Sequence, residues 1–162
     1  MAEGSAVNAS PLIFLSHSGL LDLLQLVTEQ VVVPRPVAEE IERRGPTDPT
    51  ARALAHTDWL RVVEPPLPVP PQIQSWDLGP GESSVLAWCV HRPGTEAILD
   101  DLAAPTCAET FGIPVRGTLG LVLLAKRRGR FPAARPVLET MRQAGMYLSK
   151  AVMERALSTV GE

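Results

Sequence analysis

The chain has 162 residues, of which 45% are hydrophobic and 20% are charged, with 18 acidic and 15 basic side chains and a formal charge of −3. This length suits one hydrophobic core, so we predict a single domain over residues 1–162 in which C-terminal helices at about 132–160 form an extension. The acidic balance excludes a broad basic face that coats nucleic acid, but not a metal-dependent nuclease, which needs clustered carboxylates.

The ends and apolar runs of the chain indicate its compartment. No apolar run reaches the ~18 residues that span a bilayer. The first residues lack the basic and apolar regions of a secretory signal. We therefore expect a cytoplasmic protein that makes no membrane contact.

The N-terminal half alternates short apolar runs with helical patterns, broken by proline and glycine. Ser10 is the predicted N-cap of the first helix, with Pro11 as its first helical residue. The predicted elements of this half are a strand at 6–7, a helix from 10, helical spacing at 20–27, a strand at 31–33, helices at 37–44 and 51–55, and a strand at 59–63. The proline-rich stretch 65–71 is predicted to be extended and incompatible with a helix.

The C-terminal half shows the same alternation more clearly. The predicted elements are a helix from 79 to 89, a strand at 97–99, a helix at 102–111, a strand at 113–115, and helices at 119–128, 133–144 and 150–157. Short strands separated by helices predict an α/β fold, with a parallel sheet, right-handed crossovers and helices on both faces. Such sheets bind ligands beyond the carboxyl ends of their strands.

Oxygen-bearing side chains gather after the predicted strands and at helix starts. They are Asn8, Glu39, Glu40, Glu82, Asp100 and Asp101. Each has an ordinary explanation, since one aspartate would cap the helix at Leu102 and glutamates near helix N-termini complement the helix dipole. Together, however, they place oxygen ligands from several segments at one end of a sheet, as Mg²⁺ or Mn²⁺ requires. A bound ion would offset their repulsion, polarise a phosphodiester and activate a water molecule.

An ordered set of short motifs resembles a PIN domain, and more narrowly a prokaryotic PIN-like subfamily of predicted nucleic-acid-binding proteins. The resemblance covers nearly the whole chain from about Val7. The motifs are Val7-Asn8-Ala9-Ser10-Pro11-Leu12-Ile13, Val33-Pro34 with Val37-Ala38-Glu39-Glu40-Ile41, Leu78-Gly79-Pro80-Gly81-Glu82, Ile98-Leu99-Asp100-Asp101 and Gly117-Thr118-Leu119-Gly120.

The resemblance implies a three-layer α/β/α sandwich, a divalent-metal site and cleavage of single-stranded RNA, as in toxins of toxin–antitoxin pairs. By position it assigns the metal ligands to Asn8, Glu40, Glu82 and Asp101, with Asp100 beside the last. It also places Ser10 where the family has a small hydroxyl residue near the metal site. We accordingly name Asp100, Asp101 and Glu82 as catalytic candidates.

The chain departs from the family pattern at two positions. Asn8 replaces the aspartate of active PIN nucleases, although asparagine is common there in the subfamily. An amide oxygen still binds Mg²⁺ but carries no charge, so we expect a weaker hold on the metal. Pro105 stands where subfamily members tend to carry an arginine, so a phosphate contact is missing.

Candidate contacts to nucleic acid are dispersed. Besides Ser10, they are Arg116, Thr118 and the basic run Lys126, Arg127 and Arg128. The basic run is equally explained as the solvated, dipole-matched end of a helix.

Other chemistries have little support in the sequence. The histidines are isolated, and no GxSxG elbow or P-loop is present. Cys89 and Cys107 form no CxxC pair, so two packed, reduced thiols are the simplest interpretation.

Two functional hypotheses follow. The first is a Mg²⁺- or Mn²⁺-dependent ribonuclease in which Asp100 assists or orients water. The second, motivated by Asn8 and Pro105, is a PIN-like binding or regulatory module without turnover. The C-terminal helices are candidates for homodimerisation or for docking a small antitoxin.

Overall fold

A computed structural model of the chain describes residues 4–100 and 103–162. Within these residues a sheet of five parallel strands forms the centre, in the order β3-β2-β1-β4-β5. The strands are β1 (Gly4–Val7), β2 (Val31–Pro34), β3 (Leu60–Val63), β4 (Thr95–Ile98) and β5 (Val115–Arg116).

Helices flank the sheet, which confirms the predicted α/β sandwich with a central parallel sheet. They are α1 (Ala9–His17), a 3-10 helix (Leu21–Leu26), α2 (Arg35–Glu42), α3 (Pro49–His56), α4 (Pro71–Gln74), α5 (Pro80–Val90), α6 (Ala103–Thr110), α7 (Thr118–Arg127), α8 (Arg135–Gln143) and α9 (Lys150–Ser158). Among the described residues, no helix has the length and apolar character needed to cross a bilayer.

The central strands are buried on both faces, as expected for a parallel sheet covered by helices. Val7 of β1 lies opposite Ile98 of β4, and both are fully buried. On the other side Ser5 lies opposite Val31 of β2. The short β-branched runs therefore form strands because both of their faces pack against apolar side chains.

The strand order creates a switch point beside β1. The chain moves from β1 through β2 to β3 on one side, and β4 and β5 lie on the other side. Asn8 directly follows β1, and its N–H donates to the carbonyl of Ile98 at 3.0 Å. Leu99 and Asp100 directly follow β4. Asn8 and Asp100 thus lie on either side of the crevice where open α/β sheets bind ligands.

Predictions about local structure were wrong at several places. Ser10 is not the N-cap of α1, because the helix begins at Ala9 with Asn8 as its N-cap. Strand β4 begins at Thr95, two residues early, because its first residues are polar yet buried. Residues 71–74 are helical although they follow a proline-rich stretch, because Pro71 stands in the first turn, where its missing N–H costs nothing.

The last strand, predicted at 113–115, is Val115–Arg116. Gly112 has φ +68°, and the Ile113 N–H donates to the carbonyl of Ala108 at 2.9 Å. Ile113 therefore belongs to the glycine-based end of α6 and contributes no strand pairing.

Polar contacts hold the C-terminal helices against the rest of the chain. The Glu162 carboxylate accepts the N–H of Ala134 at 2.6 Å and of Arg135 at 3.2 Å, at the start of α8. The Arg135 guanidinium in turn donates to both oxygens of Glu154 in α9, at 2.8 and 3.1 Å. Buried Leu138 and Met153 join these helices to the main core.

Candidate active site

Asn8 presents an amide oxygen that its own helix does not use. The side chain makes no capping hydrogen bond to α1, although asparagine is a favoured N-cap residue. The residue is 4% exposed, and its Oδ1 is buried without a hydrogen-bond partner among the described residues. A buried acceptor left unpaired costs about 1–3 kcal/mol, so this oxygen is suited to bind a ligand.

Gly81, in the first turn of α5, leaves the space into which this oxygen points. A Cβ at residue 81 would lie 2.8 Å from Asn8 Oδ1, 3.4 Å from Glu40 Oε2 and 3.4 Å from Val37 Cγ2. The amide oxygen and the carboxylate oxygen therefore border one small space, which any side chain larger than hydrogen would fill.

Helix α2 delivers Glu40 to this position. Val37 and Ile41, on the same face, are fully buried and fix the helix against the core. Of the two adjacent glutamates, Glu40 is the one whose carboxylate oxygen is among the three atoms nearest to a Cβ at residue 81. The side chains of both residues are otherwise exposed.

Asp100 is held by the start of α7. The backbone N–H of Thr118 donates to Asp100 Oδ1 at 2.7 Å, and the Thr118 hydroxyl donates to Oδ2 at 2.6 Å. A Cβ at Gly117 would lie 3.0 Å from the same Oδ1, so the glycine permits this close approach. Thr118 is fully buried, so its hydroxyl supports Asp100 from within the core.

Glu82 lies in the first turn of α5, where a carboxylate complements the helix dipole. Its Oε2 lies close to the N-cap residue Gly79, since a Cβ there would be 2.5 Å away. Glu82 and Asp100 line one cleft of about 620 Å³ together with Ser10. The remaining described lining residues are Phe14, Leu119, Gly145, Met146, Tyr147, Leu148 and Val152.

The oxygen donors fall into two neighbouring groups. Asn8 and Glu40 border Gly81. Glu82, the next residue of α5, and Asp100 line the cleft. Within residues 4–100 and 103–162, no three carboxylate, histidine or cysteine side chains lie close enough to hold an ion by themselves. Asp101, a predicted ligand and catalytic residue, lies outside the described residues.

The sequence profile of the PIN domain matches residues 5–162. The chain belongs to the PIN-domain family. No curated protein gives a significant match to it. Family membership indicates a nuclease or nucleic-acid-binding function, and PIN domains generally use divalent metals. The donor set of this PIN domain consists of oxygens, the ligand type that hard divalent cations prefer.

The predicted nucleic-acid contacts of the PIN domain are separated in space. Ser10 lines the cleft, and Thr118 supports Asp100 from within the core. Arg116 is the last residue of β5, and its Nε donates to Glu96 Oε1 at 3.0 Å. Buried Glu96 thus holds the guanidinium at its Nε end, while the side chain remains one-third exposed.

The basic run lies away from the acidic cleft. It occupies the C-terminal end of α7, about 15 Å from the Thr118 end by the rise of 1.5 Å per residue. Lys126 contacts the carbonyl of Pro132, Arg127 donates to Thr159 at 3.4 Å, and Arg128 donates to the Leu26 carbonyl at 3.0 Å. The fold therefore does not bring this run together with the acids.

Sequence reasoning missed three features of the site. Gly81 was treated only as part of a motif, although glycine in the first turn of a helix is a signal of close packing. The supporting role of Thr118 depends on a neighbour 18 residues away and leaves no local pattern. The contribution of residues 145–148 to the cleft is indicated in the sequence only by a short apolar run between two predicted helices.

Proposed function

We propose that the chain is a divalent-metal-dependent ribonuclease of the PIN type that acts on single-stranded RNA. The observation that carries this proposal is the buried Oδ1 of Asn8, which has no hydrogen-bond partner among the described residues and faces Glu40 across Gly81. It lies at the carboxyl edge of a parallel sheet, beside the cleft that Glu82 and Asp100 line. A buried acceptor next to a carboxylate favours a cation at this place.

The residues fit Mg²⁺ or Mn²⁺ by donor type, and we assign the ion to Asn8, Glu40, Glu82 and Asp101. When bound, such an ion supplies Lewis-acid polarisation of a phosphate oxygen and lowers the pKa of a bound water. Asn8 contributes an oxygen without charge, so the three carboxylates provide all of the negative charge that holds the ion.

Asp100 is suited to orient the attacking water. Thr118 donates one hydrogen bond to each carboxylate oxygen, which fixes the plane of the group. Each oxygen keeps a further acceptor site for a water in the cleft. The carboxylate can then receive a proton from that water while Thr118 holds it in place. Ser10, which also lines the cleft, is suited to donate a hydrogen bond to the RNA strand.

Cleavage of a single-stranded RNA oligonucleotide with Mn²⁺ tests the proposal. We expect Glu82→Gln, Asp100→Asn and Asp101→Asn each to lower the rate by at least a hundredfold, in line with the loss of a general base or metal ligand. Glu29→Gln is the matched control, because Glu29 is exposed and precedes β2 at the opposite edge of the sheet. Equal cleavage by all variants, or no cleavage by the wild type, would contradict the catalytic assignment.

Asn8 itself favours a second candidate function, a PIN-like module that binds nucleic acid with little or no turnover. Because its amide is uncharged, the metal site has one negative charge fewer than it would have with an aspartate at this position. This alternative predicts RNA binding by the wild type without cleavage, and cleavage gained in Asn8→Asp. We expect Asn8→Asp to be less stable than the wild type in EDTA, because two carboxylates would then border Gly81, and to recover stability with Mn²⁺.

A toxin role extends the ribonuclease proposal. In that case a small antitoxin would bind the chain, and a gene for a small DNA-binding protein would lie beside its own. Helices α8 and α9 are the proposed surface for this partner or for a second copy. Growth arrest on expression, relieved by the neighbouring protein, is the expected result, and the Asp100→Asn variant should cause no arrest.

A further inference from the structure

The cleft beside Glu82 and Asp100 combines two kinds of lining. Ser10 and the two carboxylates supply oxygens, and most of the other lining side chains are apolar. We use the term apolar wall for the C-terminal part of this lining, which consists of Met146, Tyr147, Leu148 and Val152. None of the described lining residues is cationic.

The apolar wall holds one aromatic ring outward. Met146 and Leu148 are each 8% exposed and anchor the segment, whereas Tyr147 between them is 92% exposed. Gly145 has φ +108°, and the Met146 N–H donates to the Met141 carbonyl at 3.0 Å. This is a glycine-based helix end, so the backbone that carries Tyr147 is fixed by α8.

We propose that Tyr147 and the apolar wall form a stacking site for an unpaired base of the nucleic-acid strand whose phosphate lies at the carboxylates of the same cleft. This inference rests on the proposed function and adds a residue that selects single strands. A nucleotide matches both kinds of lining, because it joins a phosphate that needs a cation to a flat ring that needs apolar contact.

The chemistry of the lining favours a base over other occupants. A phosphate has no cation to meet among the described wall residues, whereas an uncharged base meets aromatic and aliphatic surface. A duplex keeps its bases stacked inside, so it has no free ring to offer Tyr147. Stacking of a base on an aromatic side chain contributes about 1–3 kcal/mol, which corresponds to about five- to hundredfold in affinity.

Binding of a single-stranded RNA that contains 2-aminopurine tests the proposal. It is measured with Mn²⁺ in the Asp100→Asn background, in which cleavage of the strand is expected to be at least a hundredfold slower. We expect Tyr147→Ala to weaken binding about tenfold and to abolish the quenching of 2-aminopurine, whereas Tyr147→Phe stays within about twofold. Leu67→Ala is the matched control, since Leu67 is 81% exposed and does not line the cleft.

A second measurement uses the wild-type chain. Tyr147 is its single tyrosine. The single-stranded RNA should therefore protect the protein from tyrosine nitration, and the same sequence as a duplex should not.

Three outcomes would overturn the stacking site. They are unchanged binding in Tyr147→Ala, equal protection by duplex RNA, and a loss of self-association in Tyr147→Ala with RNA binding intact, which would make a second copy the occupant. Cleavage by the wild type is read separately. If Tyr147→Ala weakens binding but the wild type forms no product, the stacking site stands and the ribonuclease proposal fails. If Tyr147→Ala leaves binding unchanged and forms product as fast as the wild type, the ribonuclease proposal stands and the stacking site fails.

Discussion

Asn8 stands where a helix-capping side chain is expected, yet its amide oxygen is turned toward Gly81 and Glu40. A capping bond would have satisfied the oxygen locally and contributed about 1 kcal/mol to the helix. In the crevice beside β1 this acceptor instead has no partner among residues 4–100 and 103–162. At this scale the candidate site is a set of oxygens whose arrangement leaves room for a cation.

Substitution of Gly81 tests that space. In Gly81→Ala the new Cβ would lie 2.8 Å from Asn8 Oδ1, so the oxygen has to move. We expect the affinity for Mn²⁺ to fall about 10- to 100-fold, the range seen when groups that position ligands are changed. Without metal, the free energy of unfolding should change by about 1 kcal/mol or less, because alanine favours the helix and offsets the contact.

Calorimetric titration with Mn²⁺ and urea unfolding in EDTA measure these two quantities. Gly120→Ala is the matched control, since Gly120 lies within α7 and, of the described residues outside that helix, its added Cβ would meet only Arg116 Cγ, at 3.4 Å. Equal Mn²⁺ affinity in Gly81→Ala and the wild type would show that this space holds no ion.

At the scale of elements, α8 and α9 matter because the turn between them and Val152 of α9 form the apolar wall. Glu162 connects three pieces, since its carboxylate accepts the first N–H groups of α8 and lies 3.9 Å from Lys126 near the end of α7. A carboxylate at a helix N-terminus also complements the helix dipole. The position of the wall therefore depends on contacts distant from the cleft.

The pH dependence of stability tests the role of Glu162. The N–H of Ala134 that donates to this carboxylate, helped by Arg135 and Lys126, lowers its pKa below the usual value of 4.5. A lowered pKa in the folded state means that the contribution to stability is present above the unfolded pKa and disappears as the pH falls through the folded pKa. We expect Glu162→Gln to lower Tm by a few degrees at pH 7, and the difference from the wild type to shrink as the pH falls below 4.5 and through the folded pKa.

Thermal unfolding of both proteins across this pH range gives the comparison. A gap in Tm that stays constant down to pH 3 would mean that the carboxylate charge has no part in fixing α8. Glu109→Gln is a suitable control, because Glu109 is an exposed glutamate near the end of α6.

At the scale of the whole molecule, the net charge of −3 conceals a separation of charge. Helix α7 begins at the residue that holds Asp100 and ends in the basic run. The acids therefore lie at one end of this helix and the basic run at the other. Ion pairing and carbonyl contacts engage several of the cations within the chain. In the function that we propose, binding of nucleic acid would then depend on a metal ion at the acidic cleft more than on a basic surface.

The two cysteines test whether the chain unfolds as the single domain that we propose. Cys89 in α5 and Cys107 in α6 are buried and free. Burial, together with the charge of Glu96, raises the pKa of Cys89 to about 12, and burial also raises the pKa of Cys107. A protonated, buried thiol reacts with disulfide reagents only when the structure opens.

We expect both thiols to react more than about a thousandfold more slowly in the native protein than in the unfolded protein, as for a domain of ordinary stability. Their rates should rise together with urea and follow the unfolding transition seen by tryptophan fluorescence. Fast labelling of one cysteine while the other stays protected would indicate that α5 and α6 open separately, which contradicts a single cooperative unit.

Much of the fold followed from local pattern. The β-branched run 31–33 is recognisable as a strand because packing on both faces restricts its residue types. The ends of two helices are recognisable because the left-handed turns after them favour glycine, at Gly45 and Gly112. Strand β5 was predicted to begin two residues too early, because its pairing depends on a distant segment, and helix α4 was not predicted, because it follows a proline-rich stretch. Ile113 looks like a strand residue but packs at the end of α6.

The sequence by itself determined the α/β class, the family and the oxygen-bearing residues after the strands, because these depend on periodicity and on the residue types that each element requires. Only the tertiary structure decided that Glu40 rather than Glu39 faces Asn8, that Thr118 holds Asp100, and that the basic run lies away from the acids. It also placed Tyr147 at the cleft. Each of these depends on distances between segments far apart in the chain, and such distances are set by how helices pack on the sheet, which no local pattern encodes.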